Sequence, residues 1–281
     1  MSNILFWFKI LISFFIVFSL LSFYLIIRPT KIISYNTPYK LDIKFEPVTF
    51  KTKDNILIKG WFIPAKNKTS KTIILLHGYP ADKGNILASR IFLHDKYNLL
   101  FIDFRYLGKS GGHYSTLGKN EVLDLLSAIN YLKLRGIDEI GVWGFSMGGS
   151  VALMATKQTN AIKAIVTESG YARLDWLSDE YYHIPIVKYP LILLTRLWSK
   201  IFLGFDLNSI NPAKSSEGLK IPILILHSKN DNVINFRHAR EIKKHLINNN
   251  KLETLFYKNK LHGEKFNNYN KTIQSFFDKN L

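Results

Sequence analysis

One serine of this sequence stands between two glycines, each two positions away from it. Ser146 lies in the stretch "GVWGFSMGGS" (141–150), where the flanking glycines are Gly144 and Gly148. Glycine has no side chain to pack and tolerates unusual backbone angles, so a cluster of glycines indicates a tight turn or a close backbone approach. The residues before Ser146 are typical of a strand and those after it of a helix start. The pattern predicts a nucleophilic serine on a strained strand-to-helix turn, and its less specific interpretation is a loose turn after a strand.

A serine hydroxyl needs a base, and the sequence offers one at a suitable place. Where a nucleophile sits on such a turn, an acid and then a histidine follow it along the chain. Asp231 lies just beyond the apolar run 221–228, and His262 follows the last apolar run and precedes Gly263. Taken singly, each has a commoner explanation, as a solvated turn aspartate or a loop histidine. Together, in this order and after these strands, they predict a Ser146–Asp231–His262 triad.

A tetrahedral intermediate also needs two backbone N–H groups that bind its negatively charged oxygen. Met147 directly follows the serine and supplies the first of these donors. The second is expected from the loop after an early strand, "LLHGYPADKGN", where Tyr79 is the predicted donor. His77 in the same loop is interpreted as a residue that braces the loop and not as a base.

Short apolar runs alternate with helical patterns from about residue 40 onward. Continuous apolar runs are typical of strands that are covered on both faces. Alternation with amphipathic stretches predicts an α/β fold with a doubly wound, mostly parallel sheet. Helices are expected at residues 119–135, 235–248 and 264–279. The predicted strands are 58–65, 72–78, 97–104, 139–145, 161–169, 221–228 and 252–258.

Residues 170–215 interrupt this alternation with a connection that is far longer than usual. The segment is rich in large apolar side chains such as Trp176, Trp198 and Phe202, and Pro190 is expected to open a helix within it. One interpretation is a lid over a site at the carboxyl ends of the strands. The other is an ordinary packed helical insertion.

The beginning of the chain is apolar enough to cross a bilayer. Residues 10–27, "ILISFFIVFSLLSFYLII", contain no charge, and about 20 such residues span the hydrocarbon core as a helix. A cleavable signal peptide would need a shorter apolar core and a small-residue cleavage site, so an uncleaved anchor is favoured. Arg28, Lys31 and Lys40 outnumber Lys9, which leans toward a cytosolic catalytic domain, although so short a count leaves the orientation open.

Composition narrows the remaining function classes. The 281 residues contain no cysteine, which excludes disulfides and thiolate metal sites, and the histidines show no metal-ligand spacing, so no metal and no cofactor are expected. The net charge of +17 comes from scattered lysines without a basic stripe. Binding to nucleic acid is therefore not expected, whereas attraction to an anionic membrane surface fits the predicted anchor. The sequence says nothing about the oligomeric state.

The sequence landmarks together resemble those of a known family. "HGYP", "DFRYLGKSGG", "GFSMGG", "NDNVI" and "LHG" resemble the serial motifs of α/β-hydrolases, in particular the serine-aminopeptidase-like, membrane-anchored branch, over roughly residues 45–280. The resemblance implies Ser146 as nucleophile, Asp231 as acid, His262 as base, and an oxyanion hole from Tyr79 and Met147.

From these observations we expect an anchor with its flank at residues 1–34 and an α/β-hydrolase domain at 35–281, with a lid insertion at about 170–215. The expected function is a serine hydrolase that cleaves an ester, thioester or amide bond of an acyl, lipid-like substrate at the membrane surface, with a peptidase also possible. The alternative is a catalytically silent, membrane-bound module of the same fold.

Overall fold

The computed structural model describes residues 2–182 and 185–281. Within that part of the chain, eight strands form one sheet. They are β1 (Glu46–Lys51), β2 (Leu57–Ile63), β3 (Thr72–Leu76), β4 (Asn98–Ile102), β5 (Ile140–Phe145), β6 (Ile162–Glu168), β7 (Ile223–Ser228) and β8 (Leu252–Tyr257). Their order across the sheet is β1-β2-β4-β3-β5-β6-β7-β8. β1 and β2 pair antiparallel, as do β2 and β4, and every later pair is parallel.

Helices follow most of the parallel strands. In chain order they are α1 (Ser2–Ile27), α2 (Lys83–Arg90), α3 (Glu121–Leu134), α4 (Met147–Ala155), α5 (Leu174–Tyr181), α6 (Lys188–Trp198), α7 (Pro212–Ser215), α8 (Arg237–His245) and α9 (Tyr269–Asn280). Short 3-10 turns and one π-helical turn, Ser199–Leu203, lie between them. Every residue of β3 and β4 is buried, which explains why these strands read as continuous apolar runs.

The sheet is covered on both faces, as the doubly wound prediction requires. On one face, Trp143 belongs to a buried cluster with Leu75, Phe101 and, from α9, Phe277. On the other face α4 approaches so closely that a methyl group on Gly144 would lie 2.2 Å from the carbonyl carbon of Gly148. The predicted α/β class with a mostly parallel sheet is confirmed.

Each of the seven strands expected from the sequence is present, whereas β1 was missed. Its six residues, "EPVTFK", have only Val48 buried, and they pair antiparallel with β2 at the edge of the sheet. An edge strand buries too little to appear as an apolar run, so the sequence pattern does not reveal it.

Contacts divide the chain into two compact units that are not contiguous in sequence. The larger unit holds Thr30–Ala172 and Asn211–Leu281, which include the whole sheet. The smaller unit holds the residues up to Pro29 together with Arg173–Ile210. The grouping thus differs from the linear division into 1–34 and 35–281, because α1 shares a unit with residues from the middle of the chain.

The smaller unit is built around α1 and α6. Within Asn3–Ile27 of α1, an 18-residue window reaches a mean hydropathy of 2.7, so the helix is long and apolar enough for a membrane span. Helix α6 begins at Lys188, two residues earlier than the start expected at Pro190. Pro190 therefore lies in the first helical turn, where its missing N–H has no helical partner to lose.

Candidate active site

Ser146 occupies the turn between β5 and α4 in a strained conformation. Its φ of 53° and ψ of −120° lie where residues with a side chain are rare. A conformation of this kind costs on the order of 1–3 kcal/mol and persists only where the surroundings enforce it. Here the Ser146 N–H donates a hydrogen bond of 2.7 Å to the carbonyl oxygen of Glu168 at the end of β6. The turn thus holds the serine at the carboxyl ends of the parallel strands.

The two flanking glycines are required by close approach. A methyl group at Gly144 would lie 2.2 Å from the carbonyl oxygen of Gly148, and one at Gly148 would lie 2.7 Å from the carbonyl oxygen of Leu76. Backbone atoms of α4 and β3 occupy these positions, so no side-chain rotation relieves either clash. The close packing of β3 and α4 at this turn explains why glycines flank Ser146 in the sequence.

The predicted acid and base are hydrogen bonded to each other. His262 Nδ1 lies 2.8 Å from Asp231 Oδ2, although the residues are 31 positions apart in the sequence. Asp231 Oδ1 accepts hydrogen bonds from the backbone N–H groups of Val233 at 2.9 Å and Ile234 at 2.8 Å. These contacts fix the carboxylate, and with Nδ1 donating to it the Nε2 atom of His262 is left as the proton acceptor.

The electrostatics of Asp231 favour its ionised form. Burial raises the pKa of Asp231, but the hydrogen bonds from His262 and from the N–H groups of Ile234 and Val233 outweigh burial and hold the pKa below its usual range. A carboxylate that stays ionised attracts the imidazolium that forms when His262 takes a proton.

The loop that carries His262 packs against the residue that precedes the serine. The rings of His262 and Phe145 have centroids 4.8 Å apart. A methyl group on Gly263 would lie 3.0 Å from Phe145 Cζ, so glycine lets this loop approach the end of β5. Asn232 Oδ1 accepts a 3.2 Å hydrogen bond from the N–H of His262 and ties the same loop to the Asp231 turn. The side chains of Asp231 and His262 therefore lie beside the Ser146 turn.

The residues predicted for the oxyanion hole also border the serine. Met147 is the first residue of α4, where helical N–H groups have no partner within the helix. The loop after β3 passes so close that a methyl group on Gly78 would lie 3.0 Å from Ser146 Cβ. Tyr79 is the next residue of that loop and forms a cis peptide bond with Pro80. The structure brings Met147 and the Tyr79 loop to the same point.

His77 and His227 are buried histidines near the site with bonds that suit the neutral form. His77 Nδ1 donates to the carbonyl of Gly78 at 2.7 Å, and its Nε2 accepts from the N–H of Phe104 at 3.0 Å. His227 Nε2 donates to the carbonyl of Ile234 at 2.8 Å. Burial lowers the pKa of both rings. His77 thus braces its loop, in the role that the sequence suggested.

These two histidines predict an acid-sensitive fold. Their folded-state pKa values lie below the unfolded value, so below about pH 6.5 the unfolded chain takes up protons that the folded chain does not. We expect each to lower the free energy of unfolding by up to about 1.4 kcal/mol per pH unit below that value, and to have no effect above about pH 7.5. The check is the melting temperature in detergent at about pH 7.5 and 5.5. The His227→Gln variant should show a smaller difference, and an equal difference would contradict this role for His227.

A buried polar cluster behind the serine turn was missed in the sequence. The Glu168 carboxylate accepts hydrogen bonds from Arg90 at 2.6 Å, from Tyr269 at 2.7 Å and from Trp143 at 3.1 Å. Because the Glu168 carbonyl also binds the Ser146 N–H, this cluster holds the residue that supports the strained turn. The only sequence signal was an acidic residue that ends an apolar run, which is too common to single out.

Metal ligands and cavities are the remaining features of the described residues that concern the site. Among residues 2–182 and 185–281, no group of three or more His, Cys, Asp or Glu side chains is arranged to hold a metal. An open cavity of about 800 Å³ lies at the amino-terminal ends of β5 to β8, opposite the serine turn, and it is therefore separate from the candidate site. Its lining includes Glu139, Lys163, Pro222, Leu252 and Lys279.

Comparisons with known proteins agree with this architecture. The Pyrococcus furiosus esterase Pf2001 superposes with a TM-score of 0.74 at 25% identity, covering 91% of this chain and 98% of the esterase. The uncharacterized protein YqkD of Bacillus subtilis is 28% identical over 239 residues, which are 79% of this chain and 75% of that protein. The lysophosphatidylserine lipase ABHD12 of Macaca fascicularis is 24% identical over 201 residues, 65% of this chain but only 47% of the lipase.

Nearly two thirds of the chain matches one protein family. Residues 99–281, which include Ser146, Asp231 and His262, match the model of the prolyl oligopeptidase family. The resemblance to α/β-hydrolases noted from the sequence motifs is confirmed by this match and by the esterase superposition. The chain is a hydrolase of the α/β fold, and it belongs to the prolyl oligopeptidase family.

Proposed function

We propose that this protein is a serine hydrolase that cleaves an ester or thioester of a lipid-like acyl substrate at a membrane surface. The observation that supports it most is the 2.8 Å hydrogen bond between His262 Nδ1 and Asp231 Oδ2, on a loop that packs beside the Ser146 turn. Ser146 Oγ attacks the carbonyl carbon while His262 Nε2 takes its proton. Asp231 stabilises the imidazolium, and the N–H groups of Tyr79 and Met147 bind the oxyanion.

The acyl-enzyme is then released by water. His262 first gives its proton to the departing alcohol or thiol, which leaves the acyl group bound to Ser146 Oγ. It then removes a proton from the attacking water and returns it to Ser146 Oγ as the C–O bond to the serine breaks and the acid is released. Neither step uses a cofactor. The similarity to an esterase and to a lipase favours an ester substrate, whereas membership of the prolyl oligopeptidase family keeps the amide bond of a peptide as the alternative substrate.

Substrate class is tested by hydrolysis of matched acyl compounds. The detergent-solubilised full chain is offered esters and thioesters of short and long acyl chains, and peptides with a fluorogenic leaving group. We expect faster hydrolysis of the esters and thioesters than of any peptide. Faster cleavage of peptides would reject the ester assignment while keeping a hydrolase. That residues 170–215 act as a lid, and that the catalytic domain faces the cytosol, stay predictions.

Membrane anchoring by α1 has its own test. Residues Asn3–Ile27 suit a membrane span in length and hydropathy, so the full chain should stay with the membrane pellet after alkaline carbonate extraction. Carbonate removes peripheral proteins because it disrupts ionic contacts and leaves hydrocarbon-embedded helices in place. Release of the full chain into the supernatant would reject the span, and a mature amino terminus between residues 20 and 40 would indicate a cleaved signal peptide instead.

A further inference from the structure

Helices α1 and α6 bury hydroxyl groups on the sides that face inward. Ser19 on α1 is 0% exposed, and on α6 and its continuation Thr195 is 4% and Ser199 is 0% exposed. By contrast, Leu193 is 66% and Leu197 is 45% exposed on the outer side of α6. A helix that faces water carries its polar groups outside and its apolar groups inside. At these positions the arrangement is the reverse, which suits hydrocarbon as the surrounding solvent, while Leu191 is the apolar residue of α6 that is buried on the inner side.

Two of the inward hydroxyls, those of Ser19 and Thr195, bind polar side chains of the smaller unit. Trp198 Nε1 donates to Ser19 Oγ at 3.0 Å, and the Tyr182 hydroxyl lies 3.4 Å from Ser22 Oγ and 3.0 Å from Thr195 Oγ1. Where hydrocarbon surrounds helices, polar side chains bind each other at the helix interface because lipid offers them no partner. The pairing therefore agrees with the inverted polarity.

The length of α1 places this contact region at the membrane. All residues from Asn3 to Phe14 are exposed, but these 12 residues reach only about 18 Å as a helix, short of the roughly 30 Å hydrocarbon core. A span of about 20 residues is needed. Every such window within Asn3–Ile27 includes both Ser19 and Ser22. The partners of these serines, Trp198 and Tyr182, must then lie within the membrane or at its boundary.

One side of α6 forms a continuous apolar surface, which we name the outer stripe. Its members follow at helical spacing and are all exposed. They are Tyr189, Leu193 and Leu197 of α6 and Ile201 of the π-helical turn, and exposed Ile186 precedes them in the turn before α6. Two cations adjoin the far end of the stripe, and both are paired, since Asp206 accepts from Arg196 and Lys200, each at 3.0 Å, although the three groups together keep one positive charge. The stripe thus offers a surface of apolar side chains without an unpaired charge at that end.

We propose that α6 and its continuation to Leu203 lie in the lipid leaflet beside α1, with the outer stripe in contact with acyl chains. The partner of this surface is bilayer hydrocarbon. The proposal rests on the membrane span proposed for α1, but it is independent of the catalytic assignment. The sequence offered Trp198 and Phe202 as part of a lid over the site. In the structure Trp198 binds Ser19, and Phe202 stacks on Phe23 with ring centroids 6.2 Å apart.

The absence of cysteine from the chain makes a direct test possible. Leu193→Cys and Ile201→Cys in the full chain are labelled with an environment-sensitive fluorophore and reconstituted in phosphatidylcholine vesicles, with and without bromine on the acyl chains. Phe14→Cys on α1 reports the membrane span. Leu134→Cys and Ile247→Cys are the controls, because Leu134 and Ile247 are both exposed on the larger unit. We expect labels at 193, 201 and 14 to emit at shorter wavelength and to be quenched severalfold more by brominated lipid than the controls.

Each other outcome overturns the proposal in a distinguishable way. Quenching at 14 without quenching at 193 or 201 would leave the span intact and reject the embedded α6. No quenching at any of the three would reject the span as well. Labels at 193 and 201 that are shielded from an aqueous quencher but insensitive to brominated lipid would mean that a second copy of the chain covers the stripe. Two stripe positions are used so that one poorly folded variant does not decide the result.

Discussion

Replacing Ser146 by alanine is expected to abolish labelling by a fluorophosphonate probe and to lower kcat roughly 10⁴–10⁶-fold. The probe phosphonylates a serine oxygen only where a base removes the hydroxyl proton and N–H groups stabilise the charge. Ser146 is the residue of β5–α4 whose backbone is strained at φ 53° and whose neighbour Phe145 packs on His262. Labelling is read on a gel with the detergent-solubilised full chain.

Ser150 provides a matched control for this experiment. It lies one turn further along α4, is fully buried, and donates a 2.8 Å hydrogen bond to the carbonyl of Tyr171. Ser150→Ala should cost about 1 kcal/mol of stability through the lost hydrogen bond and should still be labelled. Full labelling of Ser146→Ala would show that the nucleophile is another residue. Absence of labelling in the wild type as well would favour the catalytically silent module.

Replacing Asp231 by asparagine is expected to lower kcat about 10⁴-fold while the fold is kept. The amide oxygen of asparagine retains the bonds from the N–H groups of Val233 and Ile234. Its NH₂ group then faces His262 Nδ1 and donates to it, so the proton moves to Nε2. The imidazole can no longer accept the serine proton from that side. The measurement is kcat with the best ester substrate, together with the melting temperature.

A second variant tests the same acid–base pair, and a third serves as a control. His262→Ala should lose activity to a similar extent, because the pair acts as one unit and its losses do not add. His245→Ala is the control, since that ring lies on α8 and bonds Glu217 and Glu241 at the surface. Wild-type activity in either Asp231→Asn or His262→Ala would show that the acid or the base had been assigned to the wrong residue.

The buried strands, the serine turn and the apolar first helix could be predicted from the sequence because each is marked by a periodic or closely spaced residue pattern. β3 and β4 are buried at every residue and therefore appear in the sequence as apolar runs. The glycines around Ser146 mark a backbone approach that no side chain permits. The order serine, aspartate, histidine follows the order of strands along the chain. The apolar run of α1 needs only its own composition to be recognised.

The two histidines beside Asp231 differ in what their rings contact. Both His227 and His262 lie near Asp231, with His227 Nε2 at 3.7 Å and His262 Nδ1 at 2.8 Å from Oδ2. His227 is buried with Nε2 on the carbonyl of Ile234, whereas His262 is partly exposed on a loop beside the serine turn. The order of residues along the chain predicts His262 as the base, and the ring directions agree with that prediction because His262 Nδ1 faces the carboxylate whereas His227 Nε2 donates to a backbone carbonyl.

The sequence by itself determined the class of the fold, the serine turn and the apolar character of the first helix, because each depends on residues that are neighbours along the chain. The tertiary structure alone decided that α1 and α6, nearly 180 residues apart at the Ser19–Trp198 bond, belong to one compact unit. It also decided that their hydroxyls face each other while Leu193 and Leu197 face outward. A helical pattern gives the period of apolar residues but not which side meets a partner and which side meets solvent. That assignment depends on contacts between distant segments, which form only when the chain is folded.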